Sequence, residues 1–428
     1  MLTWIVTYSD AVCNFFVPLL IGFSSAQQRH ALNVIEALLV CPFKHKTLCA
    51  LTRLLGLPHA DEFALADFFR VSPWDSLPLQ QTLTQCLLRT VCAIQQRTGW
   101  RLLFLSVDDA LCPKDVATQA LDAVSFHYDH VQPRRQSGKF TNSSAYVLVH
   151  LQLGPVQFTL TWRLYLKRKQ VAKLNRQRAA RALPKLTYRK LSELVEEMLT
   201  EIAPQLPKGC KVYLLFDAWY DNHRLLQFIR QQGWHWICAT RSNRVLSERP
   251  LSQWWYHLNH QRSARVALRS ATRSHTYSTR YVVGRLRRYP DTVIAIISKR
   301  ERRDAHPAYF LSSDVTLSVR CLLKYYGNRW QTEVDNRYLK ERFGLADYRL
   351  HSVEAIQHWH VLVFAAYAFL QYQRARPLLQ DAHATLPPLS DVLLAHQQWH
   401  VRQTVCQLAA LVRQGTSDAE LLKQFALT

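Results

Sequence analysis

The chain has 428 residues, of which 54 are Lys or Arg and 31 are Asp or Glu, so its formal net charge is +23. That length allows two to four domains with a substantial core, and the cationic excess points to a polyanionic partner, nucleic acid before a membrane surface. The longest apolar runs, Phe15–Phe23 (broken by Pro18) and Val361–Leu370, fall short of the roughly 20 residues of a membrane span, so no membrane segment is expected; no signal peptide is expected either. The ten cysteines include no Cys-x-x-Cys pair and no Cys/His cluster at zinc spacing, which reads as reduced thiols of a cytoplasmic protein.

Residues 1–100 read as helical, with three-to-four apolar periodicity over Gln27–Leu39, Lys46–Leu55 and Leu79–Gln96. The segment Lys44–Gly56 fits a compact helical DNA-binding element and equally a plain helical bundle. Leu102–Val107 is a continuous apolar run followed by Asp108-Asp109. It predicts a buried strand with acids at its C-terminal end, where α/β proteins place their chemistry, although Asp is also common in an ordinary turn there. His127, Tyr128, Asp129 and His130 are consecutive, and neighbours in sequence seldom converge on one ion, so no second metal site is expected.

Tyr146–Leu153 and Val156–Tyr165 predict two strands joined by a tight turn at Gly154-Pro155. A helix over Leu191–Ile202, a strand Lys211–Phe216 ending in Asp217, a helix Asn222–Gln232 closed by Gly233 and a strand Trp234–Ala239 follow. Three strands, helix, strand, helix, strand is the order of a ribonuclease-H-like mixed five-stranded sheet, and acids end its first and fourth strands. Ser242–Asp304 exceeds what that order needs and reads as a β-rich insertion, with strand-like runs at Ala264–Leu268, Thr276–Val283 and Thr292–Ser298. Residues 261–303 carry twelve Arg or Lys against two acids, and residues 163–190 carry eleven with no acid. Such blocks are often solvated faces; flanking a nuclease site, they fit a path for a DNA backbone. Trp254, Trp255 and Tyr256 read as packing residues, with stacking on a base as the alternative.

Further on, Tyr326, Arg329, Glu333 and Lys340 are spaced three, four and seven residues apart. At about 100° per helical residue they share a face roughly 60° wide, with Asp335 on the opposite side. A solvated face of i,i+4 ion pairs explains such a pattern; so does a phosphate-handling face whose carboxylate holds a divalent metal. Residues 352–376 and 389–413 then read as helices joined by a loop at Pro387-Pro388.

Tyr326-x2-Arg329-x3-Glu333-x6-Lys340 resembles the Tyr-Arg-Glu-Lys signature of bacterial insertion-sequence transposases of the DDE type. Phe343-Gly344-Leu345-Ala346-Asp347-Tyr348-Arg349 and Ala355-Ile356-Gln357-His358 resemble the same family. Val107-Asp108-Asp109 is similar to its first catalytic motif and Phe216-Asp217-Ala218-Trp219-Tyr220 to its second. The family's first acid directly precedes a small hydroxyl residue, which favours Asp109 over Asp108, although Ala110 stands where that hydroxyl is usual.

The resemblance implies a DNA transposase that cleaves and rejoins DNA with Mg²⁺, or Mn²⁺ in its place. Asp109, Asp217 and Glu333 would be its catalytic, metal-holding acids, and Tyr326, Arg329 and Lys340 its DNA-binding residues. It further implies double-stranded DNA partners, both transposon ends and target, a homodimer on DNA, and a cytoplasmic, nucleoid-associated protein. The expected domains are a helical DNA-binding region (1–100), a catalytic domain in two parts (101–241 and 305–350, the second with the Glu helix), the basic β-rich insertion (242–304) and a helical C-terminal region (351–428). The alternatives are a transposase-derived DNA-binding protein without cleavage activity and a ribonuclease on the same fold.

Overall fold

The computed structural model describes residues 8–56, 59–129, 140–258, 260–261, 263–269, 274–300 and 306–424. His130 and Asp304 lie outside the described residues. The chain opens with α1 (Asp10–Phe16), α2 (Ser25–Val40), α3 (Leu48–Leu54), α4 (His59–Arg70) and α5 (Ser76–Thr98). There follow β1 (Leu102–Pro113), β2 (Ser125–Tyr128), β3 (Phe140–Leu153), β4 (Val156–Tyr165), α6 (Arg168–Ala179) and α7 (Leu191–Ile202). Next come β5 (Lys211–Phe216), α8 (His223–Gln231), β6 (His235–Thr240), β7 (Val245–Leu246), β8 (Arg249–Pro250) and α9 (Leu251–His257). The chain continues through β9 (Ala264–Arg269), β10 (Ser274–Arg285), β11 (Thr292–Arg300) and β12 (Ala308–Ser312). It closes with α10 (Val319–Gly327), α11 (Trp330–Arg337), α12 (Val353–Ala375), α13 (Leu389–Arg413) and α14 (Asp418–Gln424).

The five expected strands stand side by side as β4-β3-β1-β5-β6, with β1, β5 and β6 parallel and the β1–β3 and β3–β4 pairs antiparallel. The sheet is larger than expected, however, with ten strands. β12 pairs antiparallel with β6, and β11, β10 and β9 add outward from it. The strands read as an insertion therefore prolong the central sheet: β6 offers an unpaired edge that the short, unforeseen β12 covers. The turn between β3 and β4 requires glycine, since Gly154 has φ +58° and a Cβ there would sit 2.7 Å from the Trp100 ring.

β1 also runs six residues past its expected end. The 14-residue β3 pairs with it as far as Pro113, so Asp108 faces Leu148 and Asp109 faces Val147 across the ladder. Parallel pairing to β5 stops earlier, at Ser106–Leu215. The two acids thus lie within a strand rather than at its end, but at the level where the parallel neighbour turns away.

α12 is buried along nearly its whole length and packs on α2, α4, α5, α13 and β4. Together with the residues to Leu379 it is long and apolar enough to cross a membrane, yet 89% of that apolar window is covered by the protein itself. The N-terminal helices, the sheet and the C-terminal helices consequently share one apolar core.

The sheet extension is tied back by Asp314, just after β12 and only 3% exposed. Its carboxylate accepts from Lys211 Nζ (2.6 Å) and from the Tyr213 hydroxyl (2.6 Å), both on β5, and from Thr316. Burial raises its pKa, but these donors outweigh burial and hold it below the usual carboxylate range. A depressed folded-state pKa supplies stability above the ordinary carboxyl range that is lost as pH falls. Asp314→Asn should cost about 1–3 kcal/mol at pH 7. In urea titrations that deficit should hold constant down to roughly pH 5 and shrink below roughly pH 4.

Candidate active site

The strand acids come from two directions. Asp108 turns toward α11: its Oδ2 accepts from Arg329 Nη1 (3.1 Å) and from the Thr332 hydroxyl (2.9 Å), and its Oδ1 accepts from the Asp109 backbone N–H (3.1 Å). Asp109, the next residue on the strand, belongs to the opposite side of the pleat and lies in the field of Asp217 and Tyr220. Burial first, then the charges of Asp108 and Asp217, push its carboxyl up to about 7. Asp217 is the residue after β5, and its Oδ1 accepts from the Trp219 N–H (2.8 Å), which fixes the start of the following turn.

The Tyr326–Lys340 segment is not the single helix that the spacing predicts. α10 ends at Gly327, Asn328 and Arg329 form a turn, α11 spans eight residues, and Tyr338–Arg342 form a π-turn. Tyr326, Arg329 and Glu333 still converge. The Arg329 guanidinium bridges Asp108 and Glu333 Oε1 (3.2 Å) and stands 6.0 Å from the centre of the Tyr326 ring. Burial, which disfavours its charge, is outweighed by Asp108, Tyr326, Glu333 and Asp217, so its pKa rises. The Glu333 pKa is raised, by burial and then by Asp108, against the pull of Arg329. Burial pushes the Tyr326 phenol up to about 12, and its ring packs edge-on against Phe310. Lys340 departs from the group, because the wider π-turn rotates it off the α11 face. It lies in the field of Cys112, near the far end of β1, whose thiol burial pushes up to about 11 and Lys340 draws down.

The helix carrying Glu333 is fastened by Asp335, which the face analysis had set on the opposite side. Asp335 is 2% exposed, and its carboxylate meets His150 Nδ1 (3.1 Å), the Tyr367 hydroxyl (2.8 Å) and Gln331 Nε2 (3.3 Å). One buried side chain thereby joins α11 to β3 and α12. The loop after the π-turn is also fixed. Gly344 has φ +65° with no room for a Cβ, Asp347 Oδ2 accepts from the Lys46 N–H (2.8 Å), and Lys114 Nζ donates to the Tyr348 carbonyl (2.6 Å).

Thr332 and Asp335 had not been singled out for these roles. Thr332 could have been found at helical spacing from Arg329; the local Gln331 contact does not mark Asp335, whose anchoring partners Tyr367 and His150 lie 32 and 185 residues away. Trp254 is a packing residue, its indole N–H donating to the Leu246 carbonyl. His127 is buried and bonded to the Ser125 hydroxyl.

Among the described residues, no group of three or more His, Cys, Asp or Glu side chains is arranged to hold a metal. Asp109 instead lies in the field of both Asp108 and Asp217, and Asp108 and Glu333 are joined through Arg329. Their donor chemistry is all oxygen, suited to a hard divalent cation. The raised pKa of Asp109 comes from burial first and from the neighbouring charges of Asp108 and Asp217 second, and a bound cation would offset both.

A mixed α/β sheet with carboxylates on two adjacent parallel strands where their mutual pairing ends, opposed by a helix that bears Glu333 and is preceded by Arg329, is compatible with the ribonuclease-H-like class of nucleases. The chain belongs to the DDE superfamily of endonucleases, whose family model matches residues 18–288. That span includes Asp108, Asp109 and Asp217 and stops before α10, so Tyr326, Arg329, Glu333 and Lys340 lie beyond it. A comparison with curated proteins gives no match. Family membership defines the function class, a transposase-like nuclease acting on DNA.

Asp335→Ala should destabilise the protein by about 3–5 kcal/mol, because it strips a buried charge from His150 and leaves the Tyr367 hydroxyl unpaired. Chemical denaturation of the variant beside Glu333→Ala, which removes a half-buried acid, measures the difference; equal stability of the two would contradict the anchoring role.

Proposed function

We propose that the chain is a DNA transposase that cuts a mobile element free and joins its ends to target DNA. The observation that carries this reading is the Arg329 guanidinium, which brings Glu333 on α11 to the acids of β1 from more than 200 residues away in sequence. With it, the Tyr326-Arg329-Glu333-Lys340 spacing acquires a spatial counterpart for three of its four members.

In this reading Asp109, Asp217 and Glu333 hold Mg²⁺, for which Mn²⁺ can substitute. The bound metal supplies Lewis acidity at the scissile phosphate and lowers the pKa of the attacking water or 3′-hydroxyl. Glu333 reaches its role when Arg329 exchanges a carboxylate for a phosphate oxygen, a swap of one charge-assisted bond for another. Tyr326, whose phenol keeps its proton at neutral pH, donates a hydrogen bond to the same strand. Lys340, farther along the strand direction, contacts a neighbouring phosphate. The exposed cations of α6 and of the segment after it, with those of β9 to β11, track the duplex without reading its sequence. Two copies acting on paired ends account for the need to cut both ends of one element.

One feature favours a second reading: Arg329 already neutralises Asp108 and Glu333, as it would in a protein that binds ends without cutting them. An excision assay on DNA carrying the sequences that border its coding region separates the two. With Mg²⁺ the wild type should cut, and Asp109→Ala, Asp217→Ala and Glu333→Ala should each lose roughly 10²–10³-fold in rate while still retarding the same DNA in a gel. Binding without cutting in both Mg²⁺ and Mn²⁺ would establish the non-cleaving protein. Loss of cutting in Asp108→Ala, with Asp109→Ala spared, would move the first acid to Asp108.

A further inference from the structure

We propose that Asp108 is a positioning residue and not a metal ligand. Together with Thr332 it keeps hold of Arg329 while Glu333 is released, so that the freed edge of the guanidinium meets a DNA phosphate at a fixed place. The inference rests on the reading of Asp109, Asp217 and Glu333 as the metal-holding acids, and it decides which of its two carboxylates Arg329 gives up.

The Asp108 carboxylate is held by three donors of the protein. Its Oδ2 accepts from Arg329 Nη1 (3.1 Å) and from the Thr332 hydroxyl (2.9 Å), and its Oδ1 from the Asp109 backbone N–H (3.1 Å). The side chain is 13% exposed. Turning it to another ligand would strand these donors where little water can replace it. Neighbours on a strand also point to opposite faces, so a ligand that meets Asp109 does not meet Asp108 on the same side of the sheet.

The other end of the bridge is looser. Glu333 Oε1 meets Arg329 Nη2 at 3.2 Å from a side chain that is 39% exposed, and water competes for such a pair. An incoming phosphate therefore displaces Glu333 before it displaces Asp108. The exchange leaves the guanidinium anchored by one nitrogen and offers the other to the phosphate, one charge-assisted bond replacing another.

Thr332 makes the anchor rigid. It is buried, and its hydroxyl lies 2.7 Å from the Arg329 carbonyl oxygen as well as 2.9 Å from Asp108 Oδ2. Its single proton is shared between the carboxylate that holds the guanidinium and the backbone that carries it. Thr332 is also the residue before Glu333 in α11. Asp108 and Thr332 thus set the spacing between β1 and the start of that helix, and with it the place at which Arg329 presents its charge. An error of about 1 Å in such a placement is enough to slow a reaction roughly 10²-fold.

The test uses the full chain. Mn²⁺ binding, read from the paramagnetic resonance of the free ion, separates ligand from positioning residue before any DNA is cut. Asp108→Asn should bind Mn²⁺ within roughly threefold of wild type, whereas Asp109→Asn should bind it at least roughly tenfold more weakly. In the Mg²⁺ excision assay, Asp108→Asn and Thr332→Val should each slow cutting roughly 10- to 100-fold without loosening the hold on uncut DNA. Thr332→Ser, which returns the hydroxyl, should recover most of the rate. Because Asp108 acts through Arg329, adding Asp108→Asn to Arg329→Gln should slow cutting no further than Arg329→Gln alone. Loss of Mn²⁺ binding in Asp108→Asn as deep as in Asp109→Asn, cutting by Asp108→Asn at the wild-type rate, or multiplying losses in the double variant would each overturn this inference alone. A wild type that binds Mn²⁺ and DNA but cuts nothing would overturn the transposase reading with it.

Discussion

The arrangement depends on one guanidinium. Arg329 bonds Asp108 on β1 and Glu333 on α11, and without it these two carboxylates would stand against each other uncompensated, with Asp109 beside Asp108. Like charges in that setting raise one another's pKa or drive the elements apart. Asp109, which Arg329 reaches only weakly, has its carboxyl pushed up to about 7, whereas no single partner neutralises it. The same cation thus stabilises the resting site and marks the place where a phosphate or a metal would take over the neutralisation.

Such a cluster persists only if its supports are rigid. α11 is eight residues long and bounded by a turn and a π-turn, too short to hold its own position. It is held from behind, through Asp335 to His150 and Tyr367, on a strand and a helix that are themselves buried. The apolar α12 does for the whole chain what Asp335 does for α11, gathering helices from both ends of the sequence around the sheet. The long apolar stretch and the buried carboxylate are two parts of one device that keeps the acid end of the sheet in place.

Much of this was legible in the sequence, for identifiable reasons. β4, β5 and α7 match their expected limits because continuous apolar runs or strong amphipathic periodicity end at glycine, proline or a polar residue. Asp108 and Asp217 stand out in the sequence because each directly follows such a run. β2 and β12 were not, since four or five residues carry too little pattern; nor was α6, whose basic composition masks the two buried residues Val171 and Leu174 that seat it. The end of β1 was misjudged because pairing with the long β3, a tertiary effect, draws polar residues into the strand. The break in the Tyr326–Lys340 segment was partly foreshadowed by Gly327, but the π-turn that carries Lys340 away has no local signature. Asp335 could be assigned a side of the helix but no partner, since its bonds close only in the folded chain.

The distribution of charge follows from these constraints. A chain with net charge +23 keeps its acids of interest on β1, just after β5 and on α11, and bonds two of them to a single cation, Arg329. Two dense groups of its Arg and Lys residues stand on α6 and its return and around the outer strands β9 to β11. A positive exterior raises the local concentration of any polyanion before a specific contact forms. A negative interior then repels the same polyanion until a cation intervenes. DNA can therefore be drawn to the surface while its backbone is kept from the acids, and Arg329, bonded to Asp108 and Glu333, is the cation already standing among them.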